Sequence, residues 1–140
     1  MESKSNYSII ELSALSHIKE KESYGIKGKY FLKEQLDLTS CEISFGDIPA
    51  GQAIPLFHAH KENEEIYIFL QGSGVFYIDD QQLPVKEGSI IKVLPEGKRG
   101  LKADNHDLLY ICIQAKENSL NQSTIDDGLI DEEKPSWYGF

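Results

Sequence analysis

The residues best suited to chemistry lie close together: His58 and His60, two positions apart, and Glu65 five positions further on. Successive side chains of an extended strand point to opposite faces, so His58 and His60 share a face and Ala59 turns away. Two neutral imidazoles and one carboxylate on a common surface suit a divalent transition metal, with positions left open for water or a ligand. Three glutamates compete for the third place, Glu62, Glu64 and Glu65. Strand alternation favours Glu65, which shares a face with Tyr67 and Phe69, while Glu64 belongs to the opposite face or to the turn.

These side chains need a rigid frame of strands. Residues 61–64 are polar and include Asn63, as in a turn, and Glu65 to Leu70 is a run of strand formers. If that run pairs antiparallel with the histidine strand, Glu65 faces the same interior as the imidazoles. Upstream, Thr39 to Ile48 alternates, with Thr39, Cys41, Ile43 and Phe45 expected on the buried face. Residues 30–36 read as a strand, residues 7–12 as an edge strand, and residues 13–22 as a short helix or an irregular cover. Ile66 to Leu70 is apolar on both faces, so both sides of that strand should be covered, one by the interior and one by another element or a second subunit.

Downstream, residues 75–78 and 83–86 form a hairpin around Asp79–Gln82, and residues 89–94 form a strand that Pro95 and Gly97 end. Residues 100–103 and 108–115 read as strands paired around the turn at 104–107. About nine or ten short strands with frequent turns make the fold class all-β, a sandwich or barrel. Three regions follow: a covering segment with strands over 1–38, a barrel over 39–116, and an acidic tail over 117–140. The tail ends in Ser-Trp-Tyr-Gly-Phe, and Trp137 is expected to dock on its own barrel or on a neighbour.

Gly51, His58, His60, Glu65 and Gly72 resemble the first motif of the cupins. The interval from Glu65 to Gly72 points to the same glutamate as strand parity. Gly88, Pro95 and Gly97 resemble the second motif to within one residue of spacing, and Gly100 stands where the family's fourth metal ligand is expected. The resemblance spans roughly residues 39–115 and implies the double-stranded β-helix, or jelly-roll barrel, of that family. Three outcomes stay open. The triad holds a divalent metal (zinc, iron, nickel or manganese) completed by waters; His106 fills the gap; or no metal is held and His58, His60, Glu65 and Tyr67 bind an organic ligand. Gln52, Tyr67, Tyr77, Arg99 and Tyr110 are further candidates for the pocket lining. For the tyrosines the plainer alternative is a core role with a satisfied hydroxyl, and for Arg99 a solvated loop position.

Composition narrows the function. A formal charge of −9 argues against nucleic acid, whose phosphates need clustered Lys and Arg. No apolar run reaches the roughly eighteen residues of a membrane span, and the polar N-terminus lacks a signal-peptide core, so a cytoplasmic protein is expected. The two cysteines, Cys41 and Cys112, read as buried thiols rather than a disulfide framework. Two classes of function remain. One is a small binding module, a homodimer whose barrel holds a metal or a small polar metabolite. The other is a metal-dependent enzyme of the sugar isomerase or dioxygenase type acting on a chelating substrate.

Overall fold

A computed structural model describes residues 5–138. After a 3₁₀ turn at Leu15–Glu20, a small hairpin forms from β1 (Glu22–Ser23) and β2 (Ile26–Lys27). Then come β3 (Lys29–Phe31), a single helical turn α1 (Lys33–Leu36), and β4 (Glu42–Ile48). The barrel continues with β5 (Asn63–Gln71), β6 (Ser73–Ile78), β7 (Gln81–Lys86), β8 (Ile90–Val93), β9 (Arg99–Ala103) and β10 (Leu108–Lys116). A last helical turn, α2 (Thr124–Asp127), lies in the acidic tail. The strands form a five-stranded sheet in the order β3-β4-β10-β5-β8 and a three-stranded sheet in the order β7-β6-β9, all antiparallel.

Between the sheets lies an aromatic core. Phe69 and Phe76 are 1% and 0% exposed, and Tyr67 packs edge-on against Phe76 with ring centroids 4.9 Å apart. Tyr110 sits 5.9 Å from both Tyr67 and Phe69 in the same sheet, and Phe76 of the facing sheet, in contact with Tyr67 and Phe69, joins the two layers in one cluster. Offset and edge-to-face pairs of this kind add to simple burial.

Several strand expectations are corrected. On β4 the inward residues are Ser44 and Gly46, and the larger Ile43 and Phe45 lie on the other face, only partly buried. The cause is Tyr110, directly across from Gly46 on β10: its phenol occupies the space a side chain at 46 would need. Volume on the neighbouring strand has thus overridden the hydrophobic alternation. The segment at 30–36 is a strand only to Phe31 before α1, and residues 7–12 form no strand. Strands β9 and β10 do not pair with one another; they lie in opposite sheets, and the turn at 104–107 carries the chain between layers. The hairpin loop shortens to Asp79 and Asp80, both left-handed at φ 46° and 69°, the backbone that matches the twist of two antiparallel strands.

In the tail, Trp137 is 75% exposed and so does not dock on its own barrel. Residues 1–4 of the polar N-terminus and the last two residues of the aromatic end, Gly139 and Phe140, lie outside the described residues.

Candidate metal and ligand centre

Two layers build the site. His58 forms an isolated antiparallel bridge with Arg99, giving its N–H to the Arg99 carbonyl at 3.1 Å and accepting the Arg99 N–H at 3.0 Å. Residues paired in this way share a face, so imidazole and guanidinium both turn inward. His60 is fixed two residues on by its N–H to the Pro95 carbonyl at 2.8 Å. Glu65 reaches them from β5 in the opposite sheet. The expected pairing between the histidine strand and the Glu65 strand is therefore replaced by convergence across the barrel: β5 pairs with β10 and β8 instead. Asn63 and Glu64 belong to β5, which begins earlier than the polar sequence suggests.

The result is a compact cluster. One ligand atom from each of His58, His60 and Glu65 lies within 4.8 Å of the others, the one such group of three among the described residues. The two rings stand nearly perpendicular, with centroids 5.3 Å apart. Glu65 is 3% exposed, and its two oxygens are held differently. Oε1 accepts from the Arg99 guanidinium at 2.6 Å and from the Tyr67 hydroxyl at 2.9 Å. Oε2 faces His60 Nε2 at 3.1 Å and accepts from Cys112 Sγ at 3.3 Å.

Charge at the site follows from these contacts. Burial alone raises the Glu65 pKa, but the Tyr67 hydroxyl, His60 and Arg99 together outweigh it, and the carboxyl falls below its ordinary value. His58 is lowered, first by burial and then by Arg99, His60 and Lys29, against the pull of Glu65, so its imidazole is neutral with a free lone pair at neutral pH. The Cys112 thiol is pushed up to about 12, chiefly by burial and then by Glu65, and stays protonated.

Arg99 is the largest correction. It is 1% exposed, neither a solvated loop residue nor free to hold an anionic substrate. Besides Glu65, its guanidinium donates to the carbonyls of Gly97, Leu94 and Pro95, at 2.9, 2.7 and 3.2 Å. Gly100, taken from spacing as the place of the fourth ligand, pairs with Tyr77 and turns out of the barrel beneath the Phe57 ring. The inward position is Arg99, one residue earlier, so the place is filled by a cation rather than left empty.

A cavity of about 490 Å³ opens above the cluster, lined by His58, His60, Glu65, Tyr67, Tyr110 and Gln52 among others. Tyr77 is not among its lining; it packs outside the barrel against Phe57, with ring centroids 5.9 Å apart. His106 lies in the exposed turn after β9 and is not part of the cluster.

Cys112 and Lys29 are among the cavity residues that escaped the sequence reading. Cys112 alternates in phase with Tyr110 on β10, and that parity was the signal for it. Lys29, on the three-residue β3, also lines the cavity; so short a strand gives no phase, and a strand lysine ordinarily reads as solvated.

No family model matches the chain. A solved cupin protein from Bacteroides fragilis superposes with a TM-score of 0.78 at 31% identity, covering 91% of this chain and 99% of that one. The chain belongs to the cupin family. Other solved proteins share the fold at lower identity. An RmlC-like cupin protein from Desulfovibrio desulfuricans matches at 22% identity and TM-score 0.55, covering 62% of this chain and 79% of that one. A protein described as a predicted oxalate decarboxylase, from Thermotoga maritima, matches at 24% identity and TM-score 0.54, over 60% and 73% of the two chains. An uncharacterized protein of Methanocaldococcus jannaschii is 37% identical over 49 residues, 35% of this cupin and 38% of that protein's length.

Proposed function

We propose that this cupin binds a divalent metal ion through His58, His60 and Glu65 and takes a small ligand in the cavity above it. The observation that supports this reading is the convergence of the three ligand atoms to within 4.8 Å at the wall of an open cavity. Nitrogen and oxygen ligands lie about 2.0–2.2 Å from such an ion, so neighbouring donors sit roughly 3 Å apart. The 3.1 Å between His60 Nε2 and Glu65 Oε2 already meets that condition, and a small inward turn of His58 completes the set. Arg99 and Tyr67 hold Oε1 and leave Oε2 toward the imidazoles, the outer support that a metal-bound carboxylate ordinarily has. A bound ion would supply Lewis acidity toward a carbonyl or hydroxyl oxygen of the ligand.

A second reading is favoured by the same ion pair. Arg99 already neutralises Glu65, which weakens the pull on a further cation, and the cavity then takes an organic ligand through the imidazoles alone. Elemental analysis of protein purified without chelator, beside a His60→Ala control, separates the two. Near-stoichiometric metal that is lost in the control supports the metal reading; metal-free, folded protein overturns it in favour of the second. Turnover of the isomerase or dioxygenase type belongs to the first reading alone. The proposal includes a homodimer, with a second copy covering the apolar outer face of the five-stranded sheet.

A further inference from the structure

We infer that Lys29 is an anchor for a carboxylate, and that the ligand of this cavity is a small organic acid with one end at the His58/His60/Glu65 centre and an anionic end on the Lys29 ammonium. This deepens the reading above and rests on its placing a ligand in that cavity. Lys29 and Phe31 share the inward face of β3, because Tyr30 between them pairs with outward Phe45 and Lys29 itself pairs with Gly46. Gly46 pairs in turn with Tyr110 on β10. With no side chain at 46, the lysine stem crosses the middle strand and reaches the tyrosine. Its Nζ lies 3.3 Å from the Tyr110 hydroxyl, 4.9 Å from the Tyr110 ring centroid and 5.3 Å from that of Phe31. Two aromatic faces and one hydroxyl hold the ammonium in place.

Its charge is uncompensated. An ammonium has three donors, and Tyr110 takes one. Among the described residues Lys29 makes no ion pair, in a chain with 23 acidic residues against 14 basic ones. Glu65 is paired with Arg99, and Asp47, the other acid of the cavity lining, does not pair with Lys29. A part-buried lysine with two unused donors facing an open cavity is a binding site for an anion. A single ammonium in an aromatic setting fits a carboxylate better than a phosphate, which calls for several donors or an arginine fork. From Tyr110 the wall continues through Tyr67, 5.9 Å away, whose hydroxyl donates to Glu65. That aromatic stretch between the two polar ends suits a short hydrocarbon linker.

The test is calorimetric titration of the full chain, as purified and after zinc loading, with dicarboxylates from malonate to adipate, their monoamides and inorganic phosphate. One dicarboxylate is expected to bind best. Its affinity should fall about tenfold or more in Lys29→Met, by loss of a charge-assisted hydrogen bond, and be largely kept in Lys29→Arg. The monoamide keeps one carboxylate for Lys29, so its binding to the parent protein should also fall in Lys29→Met. Equal binding of the diacid by parent and Lys29→Met, no dicarboxylate binding at all, or tighter binding of phosphate overturns the inference. Metal content is read on the same samples, and an unchanged melting temperature shows that Lys29→Met is folded. A metal-free protein with Lys29-dependent binding sinks the metal reading and leaves the anchor. Metal-loaded protein that is indifferent to Lys29 does the reverse.

Discussion

The chain has a single arginine, Arg99, and uses it inside the barrel. A buried carboxylate and guanidinium each lose hydration, and the pair is tolerable only when the remaining donors and acceptors are satisfied. Here they are, by three backbone carbonyls and the Tyr67 hydroxyl. Removing one partner is therefore costly. Arg99→Met leaves the buried Glu65 without its guanidinium partner and should destabilise the fold by about 3–5 kcal/mol in urea unfolding. In Arg99→Met/Glu65→Gln the loss should be smaller than the two single losses added, because the residues share one interaction. Glu65 also sets a pH dependence. Its carboxyl is held below its usual value, so its stabilisation is fully present above the unfolded value of 4.5 and is lost as pH falls through the lower folded value. The stability gap between parent and Glu65→Gln should accordingly be widest at neutral pH and close below pH 4.5; a gap that does not change with pH would show that Glu65 is not held in its charged form.

At the scale of elements, the central strands β4, β10 and β5 decide where the site residues stand. Gly46 is the hinge of that arrangement, since Tyr110 fills its missing side chain and Lys29 crosses over it. Gly46→Ala places a methyl group inside the Tyr110 phenol and should cost about 1–3 kcal/mol as overpacking. It should also weaken ligand binding by displacing Tyr110 from Lys29, while metal content stays the same. Calorimetry and elemental analysis on one preparation check both halves. Asp47, on the same strand, is 7% exposed, and its Oδ1 has no hydrogen-bond partner. Burial, and then Asp107, raise its pKa, so its ionisation works against the fold near neutral pH.

For the molecule as a whole, the outer face of the five-stranded sheet is the surface that stands out. Tyr30, Phe45, Ile111, Ile68 and Ile90 follow one another across its strands in direct register. A second row, Ile43, Ile113 and Ile66, runs beside them. Ile90 is 67% exposed. A two-fold dimer would bring the same apolar patch of each copy together. The expected outcome is a dimer in sedimentation velocity that Ile68→Lys converts to monomer with metal content unchanged; a monomeric parent protein would remove the homodimer from the proposal.

The triad was legible in the linear sequence because two local rules bear on it. Alternation puts His58 and His60 on one face, and the phase of β5 selects Glu65 over Glu64 with Tyr67 and Phe69. The all-β class was equally legible from short alternating segments and turn residues. Other features depended on partners distant in sequence. The inward face of β4 was settled by the bulk of Tyr110, 64 positions after Gly46, and the identity of the residue at the fourth position by which β9 side chain lay opposite His58. A one-residue difference in phase moves every side chain of a strand to the other face, and spacing alone could not tell Arg99 from Gly100. Lys29 shows the same limit: its type says surface, and only the three strands β3, β4 and β10 laid side by side turn it into the cavity. The sequence by itself determined the types of the candidate ligands and the strand class, which are local properties of the chain. Which charges those ligands meet was decided by the tertiary structure, because pairing across sheets sets both distance and burial.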